Sequence, residues 1–227
     1  VKNNFVRLLE DLARENSRYC PVPEKQQEYD KLLSGLQLHY MNELSGLRRG
    51  KLLDLGCAYG TQTVAFKKLG YIETEAADNM PELSGRSWWA KQGIKFHKYN
   101  VETDGVLDRY DTIVMSEVLE HLNYNPVKAM ENVYNMLNDG GILLLSTPMK
   151  ELETHRKACT GRWCEYLHYR DIPGPYNGYK FEDAHHHLYS RVELVQLLEE
   201  VGFHVHEIFP VWRGKHWYVL AIKSEKL

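Results

Sequence analysis

The chain has 227 residues, 43% of them hydrophobic and 26% charged, with a formal net charge of -3. This is globular rather than disordered composition, and the length allows one well-buried domain with an elaboration or two. The acidic balance excludes a global basic field that would draw the protein to nucleic acid, and no apolar run approaches the roughly 20 residues of a membrane helix.

Phe5, Leu8, Leu9 and Leu12 recur at helical spacing over residues 5–14, and Lys2, Arg7, Glu10 and Asp11 are mixed into the stretch from Val1 to Leu12. The start of the chain therefore reads as an amphipathic helix rather than a signal peptide. Cys20, Pro21, Val22 and Pro23 break the chain, and a second helix over 24–44 presents Leu32, Leu33, Leu36 and Tyr40. These two helices form an N-terminal cap, residues 1–46, ahead of a main domain, 47–227.

From Lys51 the pattern becomes strand–helix alternation, which predicts an α/β fold with a parallel sheet. Strands are expected at Lys51–Leu55, Thr74–Ala77, Lys95–Tyr99, Thr112–Ser116 and Gly141–Ser146, with helices at Thr61–Leu69 and Pro126–Leu137. Residues 149–184 interrupt the alternation as a substrate-side lid rich in aromatics: Trp163, Tyr166, Tyr169, Tyr176 and Tyr179. Those rings can line an acceptor pocket or pack the lid onto the core; Arg156, Arg162 and Arg170 can hold an anionic group. A helix at Arg191–Val201, closed by Gly202, leads into two final strands, Phe203–Pro210 and His216–Lys223.

The four cysteines, Cys20, Cys57, Cys159 and Cys164, outline no disulfide framework and read as small packing residues in a reducing cytoplasm. His155, Cys159, Cys164 and His168 are zinc-type ligands, but the tight Cys-x-x-Cys knuckle is missing.

Asp54, Leu55, Gly56, Cys57, Ala58, Tyr59 and Gly60 carry a strand into a Gly-containing turn and then a helix. The glycines let the backbone turn sharply and approach a ligand closely, and the helix start supplies N–H groups for its anionic end. Asp54 is placed to hold the amino group of a zwitterionic ligand. Asp78, followed by Asn79, lies about 20 residues on, the spacing at which such folds set a carboxylate on ribose hydroxyls. Asn100, after the next strand, can hydrogen-bond an adenine edge.

The turn, the later Ala-Ala-Asp-Asn, the run from Tyr110 to Leu122 and the run from Gly140 to Pro148 together resemble the class I S-adenosylmethionine (SAM)-dependent methyltransferases. The resemblance covers about residues 47–223. It implies a Rossmann-like seven-stranded sheet, helices on both faces and an antiparallel last strand. It also implies SAM held by Asp54, Gly56, Cys57, Ala58 and Gly60 at the methionine end, Asp78 and Asn79 at the ribose, Asn100 or Val101 near adenine, and Ser116 or Glu117 under the sulfonium. Ala58 stands where the family usually has glycine, and Asn100 where it often has an acid. A nicotinamide-binding Rossmann domain would share the turn alone.

Methyl transfer needs alignment of donor and acceptor, exclusion of water and, for a hydroxyl acceptor, a base. Glu117, Glu120 and His121 follow the fourth strand, and a helical turn there would set both carboxylates on one side. His185, His186 and His187 are the candidate bases, with Glu117 and His121 beside them. In two branches, the ubiquinone O-methyltransferases and the small-RNA 2′-O-methyltransferases, a Glu-x-x-Glu-His motif with a later histidine binds a divalent metal. The resemblance thus implies Glu117, Glu120, His121 and His185 as metal ligands. The leading reading is O-methylation of a small-molecule or sugar-type acceptor. RNA 2′-O-methylation and a non-catalytic SAM-binding partner subunit remain the alternatives; the acceptor, the oligomeric state and the pathway stay open.

Overall fold

The described residues form seven strands with helices between them, and the chain divides into two compact units, Val1–Tyr99 and Asn100–Leu227. A computed structural model describes residues 2–30, 50–71, 73–83, 85–165, 168–174, 180–211 and 213–224. The boundary expected at 46/47 lies outside the described residues, as do Leu32, Leu33, Leu36 and Tyr40 of the expected second helix.

In the first unit, α1 (Lys2–Asn16) buries Leu9 and Leu12 and packs on α3 (Thr61–Lys68). The described part of α2 (23–30) opens with Pro23, whose missing N–H would be unpaired in a first turn anyway. β1 (Leu52–Leu55) is buried along its whole length, as a strand covered on both faces must be. It pairs in parallel with β2 (Thr74–Asp78), which pairs in parallel with β3 (Lys95–Lys98), in the order β3-β2-β1. Leu55 lies opposite Ala77 in this register, so Asp78 arrives beside the turn that leaves β1. The short α4 (Arg86–Gln92) carries Trp88 and Trp89, both buried.

In the second unit, β4 (Tyr110–Ser116) runs parallel to β5 (Leu137–Pro148), and β7 (His216–Lys223) lies antiparallel between β5 and β6 (Phe203–Val211). Its order is β4-β5-β7-β6. The fold class is therefore the expected Rossmann-like α/β, with an antiparallel last strand. α5 (Pro126–Met136) starts on Asn125, whose Oδ1 accepts the Val127 N–H at 3.0 Å. α7 (Arg191–Val201) starts on a reciprocal Ser190–Glu193 capping box and stops at left-handed Gly202. β5 begins at Leu137 rather than Gly141, because Leu137 pairs with Tyr110 ahead of a register shift. No described helix is long and apolar enough to cross a membrane.

The 149–184 segment holds α6 (Glu153–Ala158) and a 3-10 turn at Tyr169–Asp171. Tyr166, Tyr176 and Tyr179 lie outside the described residues. Tyr169 is fully buried and donates its hydroxyl to Glu200 at 2.7 Å, so this ring is packing rather than pocket wall. Arg162 and Arg170, expected to hold an anion, pair with Glu182 and Glu200 at 3.1 and 2.8 Å. The cysteines also need correction: Cys159 and Cys164 form a disulfide, while Cys20 and Cys57 are free and buried.

Gly60 is tightly constrained. Its φ is +78°, and a Cβ there would stand 1.9 Å from the Trp89 indole. Gly60→Ala is expected to destabilise the protein by about 1–3 kcal/mol, the range for overpacking a filled site. Urea unfolding measures this, and the double variant with Trp89→Leu should recover part of the loss. A neutral Gly60→Ala would contradict the packing described.

Candidate active site

The turn after β1 has left-handed backbone at Gly56, Ala58 and Gly60, with φ of 74°, 45° and 78°. Two N–H groups fasten it to β2: Gly56 and Cys57 donate to the Ala77 carbonyl at 2.8 and 3.2 Å. Asp78 completes the clasp, because its Oδ2 accepts the Ala58 N–H at 2.8 Å and its Oδ1 the Met80 N–H at 2.7 Å. A left-handed alanine costs about 1 kcal/mol or more, and the charge-assisted bond to Asp78 offsets it. Gly60 caps α3 with no side-chain acceptor, and the N-terminus of that helix is its positive dipole end.

Asp54 is brought to this turn, but its carboxylate accepts from Thr63 Oγ1 at 2.6 Å and from Gln62 Nε2 at 3.4 Å. Burial pushes its pKa up to about 7, against the pull of the Thr63 bond. It braces the underside of α3, and the space left by the missing Gly60 Cβ is taken by Trp89. Burial likewise drives the Cys57 thiol up. Sequence reasoning missed Asn16 and Asp30. Asn16 Nδ2 donates to the Tyr59 carbonyl at 2.7 Å and to Thr61 Oγ1 at 2.9 Å, and Thr61 Oγ1 donates to Asp30 at 2.7 Å. Only the packing of α1 and α2 reveals these contacts. Asn79 follows Asp78, half-buried.

In the second unit, Asn100 Oδ1 accepts the Glu102 N–H at 2.9 Å, and the buried Val101 offers its carbonyl to Asn132 Nδ2 at 2.7 Å. Ser116 ends β4, buried. Glu117 then turns left-handed with φ of 55°. Its Oε1 accepts from Ser146 Oγ at 2.7 Å and its Oε2 lies 2.9 Å from His216 Nδ1.

Glu117 therefore stands apart from the expected metal set. The reason is local: Leu119–His121 is a 3-10 turn entered from left-handed backbone, so residues 117 and 120 do not share a helical face. Glu120, His121 and His185 do come together, with one ligand atom from each within 4.8 Å of the others. Glu120 is buried; Thr147 Oγ1 donates to its Oε2 at 3.0 Å, and its Oε1 has no hydrogen-bond partner. That orphaned oxygen lies 4.0 Å from His121 Nε2. His121 Nδ1 sits 3.1 Å from Asp183 Oδ1, within ion-pair distance although not aligned as a hydrogen bond. The His185 ring meets the His121 ring edge-on at 4.7 Å.

Burial, reinforced by Glu117, pushes Glu120 up to about 8. Burial alone would lower His121, but Asp183 and Glu120 raise it on balance. Burial and then the His121 charge bring His185 down to about 4, so its imidazole is neutral.

The rings of His186 and His187, the other two expected bases, are engaged outside this cluster. His186 is fully buried, its Nδ1 accepting the Arg162 N–H at 3.0 Å and its Nε2 lying 3.0 Å from the Glu182 carbonyl. His187 is buried against Glu193 at 3.1 Å. The zinc-type set also separates: the cysteines bond to each other, His155 lies beside His216, and His168 contacts Gln196. Asp183 and His216 went unread in the sequence; an acid two residues before His185 was the one available signal.

A methyltransferase-domain family model matches residues 26–208. The chain belongs to this family and is a SAM-dependent methyltransferase. A ubiquinone biosynthesis O-methyltransferase of Glaesserella parasuis serovar 5 is 29% identical over 186 residues, covering 76% of this chain and 77% of the relative. Among solved structures, the PH0226 protein of Pyrococcus horikoshii OT3 aligns with a TM-score of 0.66 at 16% identity over 91% of this chain and 95% of its own. A SAM dependent methyltransferase of Aquifex aeolicus aligns at 0.57 and 20% identity over 82% and 88%. At these identities the structures speak for the fold.

Glu120 generates a pH prediction. Its folded pKa is raised above the ordinary 4.5, so folding loses stability as pH rises from there through about 8. With chelator present, Glu120→Gln should raise Tm at pH 8 by at least about 2–4 °C, the shift 1 kcal/mol produces in a domain of this length, and change it little at pH 5. Equal effects at both pH values would show that Glu120 does not carry this penalty.

Proposed function

We propose that this methyltransferase methylates a hydroxyl oxygen of a small-molecule acceptor, with a divalent cation held by Glu120, His121 and His185. One observation carries the reading: a buried carboxylate oxygen with no hydrogen-bond partner faces two imidazoles. A neutral His185 and mixed oxygen and nitrogen donors suit Mg²⁺, Mn²⁺ or Zn²⁺. Asp183 behind His121 and Thr147 behind Glu120 are the outer partners that orient such ligands. The cation would lower the pKa of an acceptor hydroxyl.

SAM supplies an electrophilic methyl group on a good leaving group. Toward it, in the first unit, the clasped turn and the uncapped start of α3 take the methionine end, and Asp78 takes the ribose. On the second unit we assign Asn100, Val101 and Ser116 as cofactor contacts. The relatives that act in ubiquinone biosynthesis favour a weakly acidic, phenol-type hydroxyl over a sugar. The net charge of -3 argues against RNA as acceptor, and a cytoplasmic location is proposed with it.

His185 as a proton acceptor is the second reading, favoured by its neutral ring; a cation would occupy the same lone pair. The two separate on chelation. With SAM and a catechol-type acceptor, S-adenosylhomocysteine should form, stop forming after EDTA and return with Mn²⁺. A chelator-insensitive rate would favour the base, and no product from any hydroxyl acceptor would end both. Asp183→Asn should weaken Mn²⁺ binding about tenfold and leave S-adenosylhomocysteine affinity unchanged, read by calorimetry.

A further inference from the structure

The Cys159–Cys164 bond has no part in methyl transfer, yet it closes a loop built against the metal-type cluster. Both sulfurs touch the His185 carbonyl oxygen, Cys159 Sγ at 3.3 Å and Cys164 Sγ at 3.2 Å. The Gly161 N–H donates to the same oxygen at 2.9 Å, and the Trp163 N–H donates to the His186 carbonyl at 3.2 Å. Arg162 N–H donates to His186 Nδ1 at 3.0 Å. Gly161 permits this approach because a Cβ there would stand 2.4 Å from His186 Nδ1 and 2.6 Å from the His185 oxygen. On its other side, the His186 N–H donates to the Glu120 carbonyl at 2.7 Å. The loop is thus a receptor for the backbone that carries His185. Both cysteines are half-buried and flanked by exposed Ala158, Thr160 and Glu165, so a small thiol can reach them.

We propose that Cys159–Cys164 is a thiol–disulfide exchange site through which small-molecule disulfides and thiols set the order of the His185 segment. It rests on the cation reading only for its effect on turnover. In the oxidising direction, one cysteine thiolate attacks a small disulfide, forming a mixed disulfide and releasing one small thiol. The other cysteine thiolate attacks the protein sulfur of that mixed bond and releases the second thiol. The protein loses two electrons and two protons; the small disulfide gains them. Reduction by a small dithiol runs the same steps backwards. Two thiols cannot stay at bonding distance, and S–H is a weak donor, so opening the ring frees the loop that holds the Gly161 and Trp163 amides in place.

The test uses the whole chain, equilibrated with oxidised glutathione or with dithiothreitol. Intact mass should show loss of two hydrogens in the first case, and amide exchange at Gly161, Trp163 and His186 should be about tenfold slower there, the scale of one net hydrogen bond. The Cys159→Ser/Cys164→Ser variant should give one exchange rate under both conditions. Failure of the bond to form, or a bond that leaves these amides unchanged, would overturn the proposal. Mn²⁺ titration separates it from the cation reading: about tenfold tighter binding by the oxidised form supports the coupling. No Mn²⁺ binding by either form, with the exchange difference intact, removes the cation and leaves the exchange site standing.

Discussion

The turn after β1 depends on the bond between the Asp78 carboxylate and the Ala58 N–H. Three left-handed residues make the turn after β1, and one of them is an alanine that pays for the conformation. The parallel register of β1 and β2 delivers the compensating carboxylate to the right edge. Asp78 is thereby fixed in place, half-buried, with each oxygen already oriented by a backbone N–H. The proposed ribose contact draws on that preorganisation. The α1–α2 arm holds the far side of the same turn through Asn16 and Asp30.

The acids of this protein are kept in uncomfortable places. Burial pushes Asp30, Asp54 and Glu120 up to about 6, 7 and 8. Elsewhere the chain solves the same problem with a partner: Glu193 is buried too, yet His187, the Ser190 N–H and Lys150 outweigh the burial and hold it down at about 2. The two acids differ in what surrounds them. Glu193 caps a helix, whereas Glu120 keeps one oxygen unsatisfied beside two imidazoles. That unsatisfied oxygen is the feature on which the proposed cation site rests.

The central strands β1, β4 and β5 were legible because buried parallel strands read as short apolar runs, and Leu143, Leu144 and Leu145 admit little else. The Gly-containing turn was legible because few residues tolerate its backbone. Side-chain grouping was harder. The helical periodicity that joined Glu117 to Glu120 fails where the chain is left-handed and then 3-10, and no spacing rule announces that change. Three adjacent histidines carry no mark of which ring faces the cluster; the answer came from tertiary contacts, His186 with the distant Arg162 and His187 with Glu193 of the following helix. The Cys159–Cys164 pair depends on a loop folded around the His185 carbonyl, a tertiary fact invisible in cysteine count.

The turn clasped by Asp78 is the central claim, and a titration of the isotope-labelled protein with S-adenosylhomocysteine, followed by amide NMR, tests it most directly. The account predicts saturable one-to-one binding, with the largest shifts at the Gly56, Ala58 and Gly60 amides. Saturable binding that leaves those three signals unmoved would contradict it.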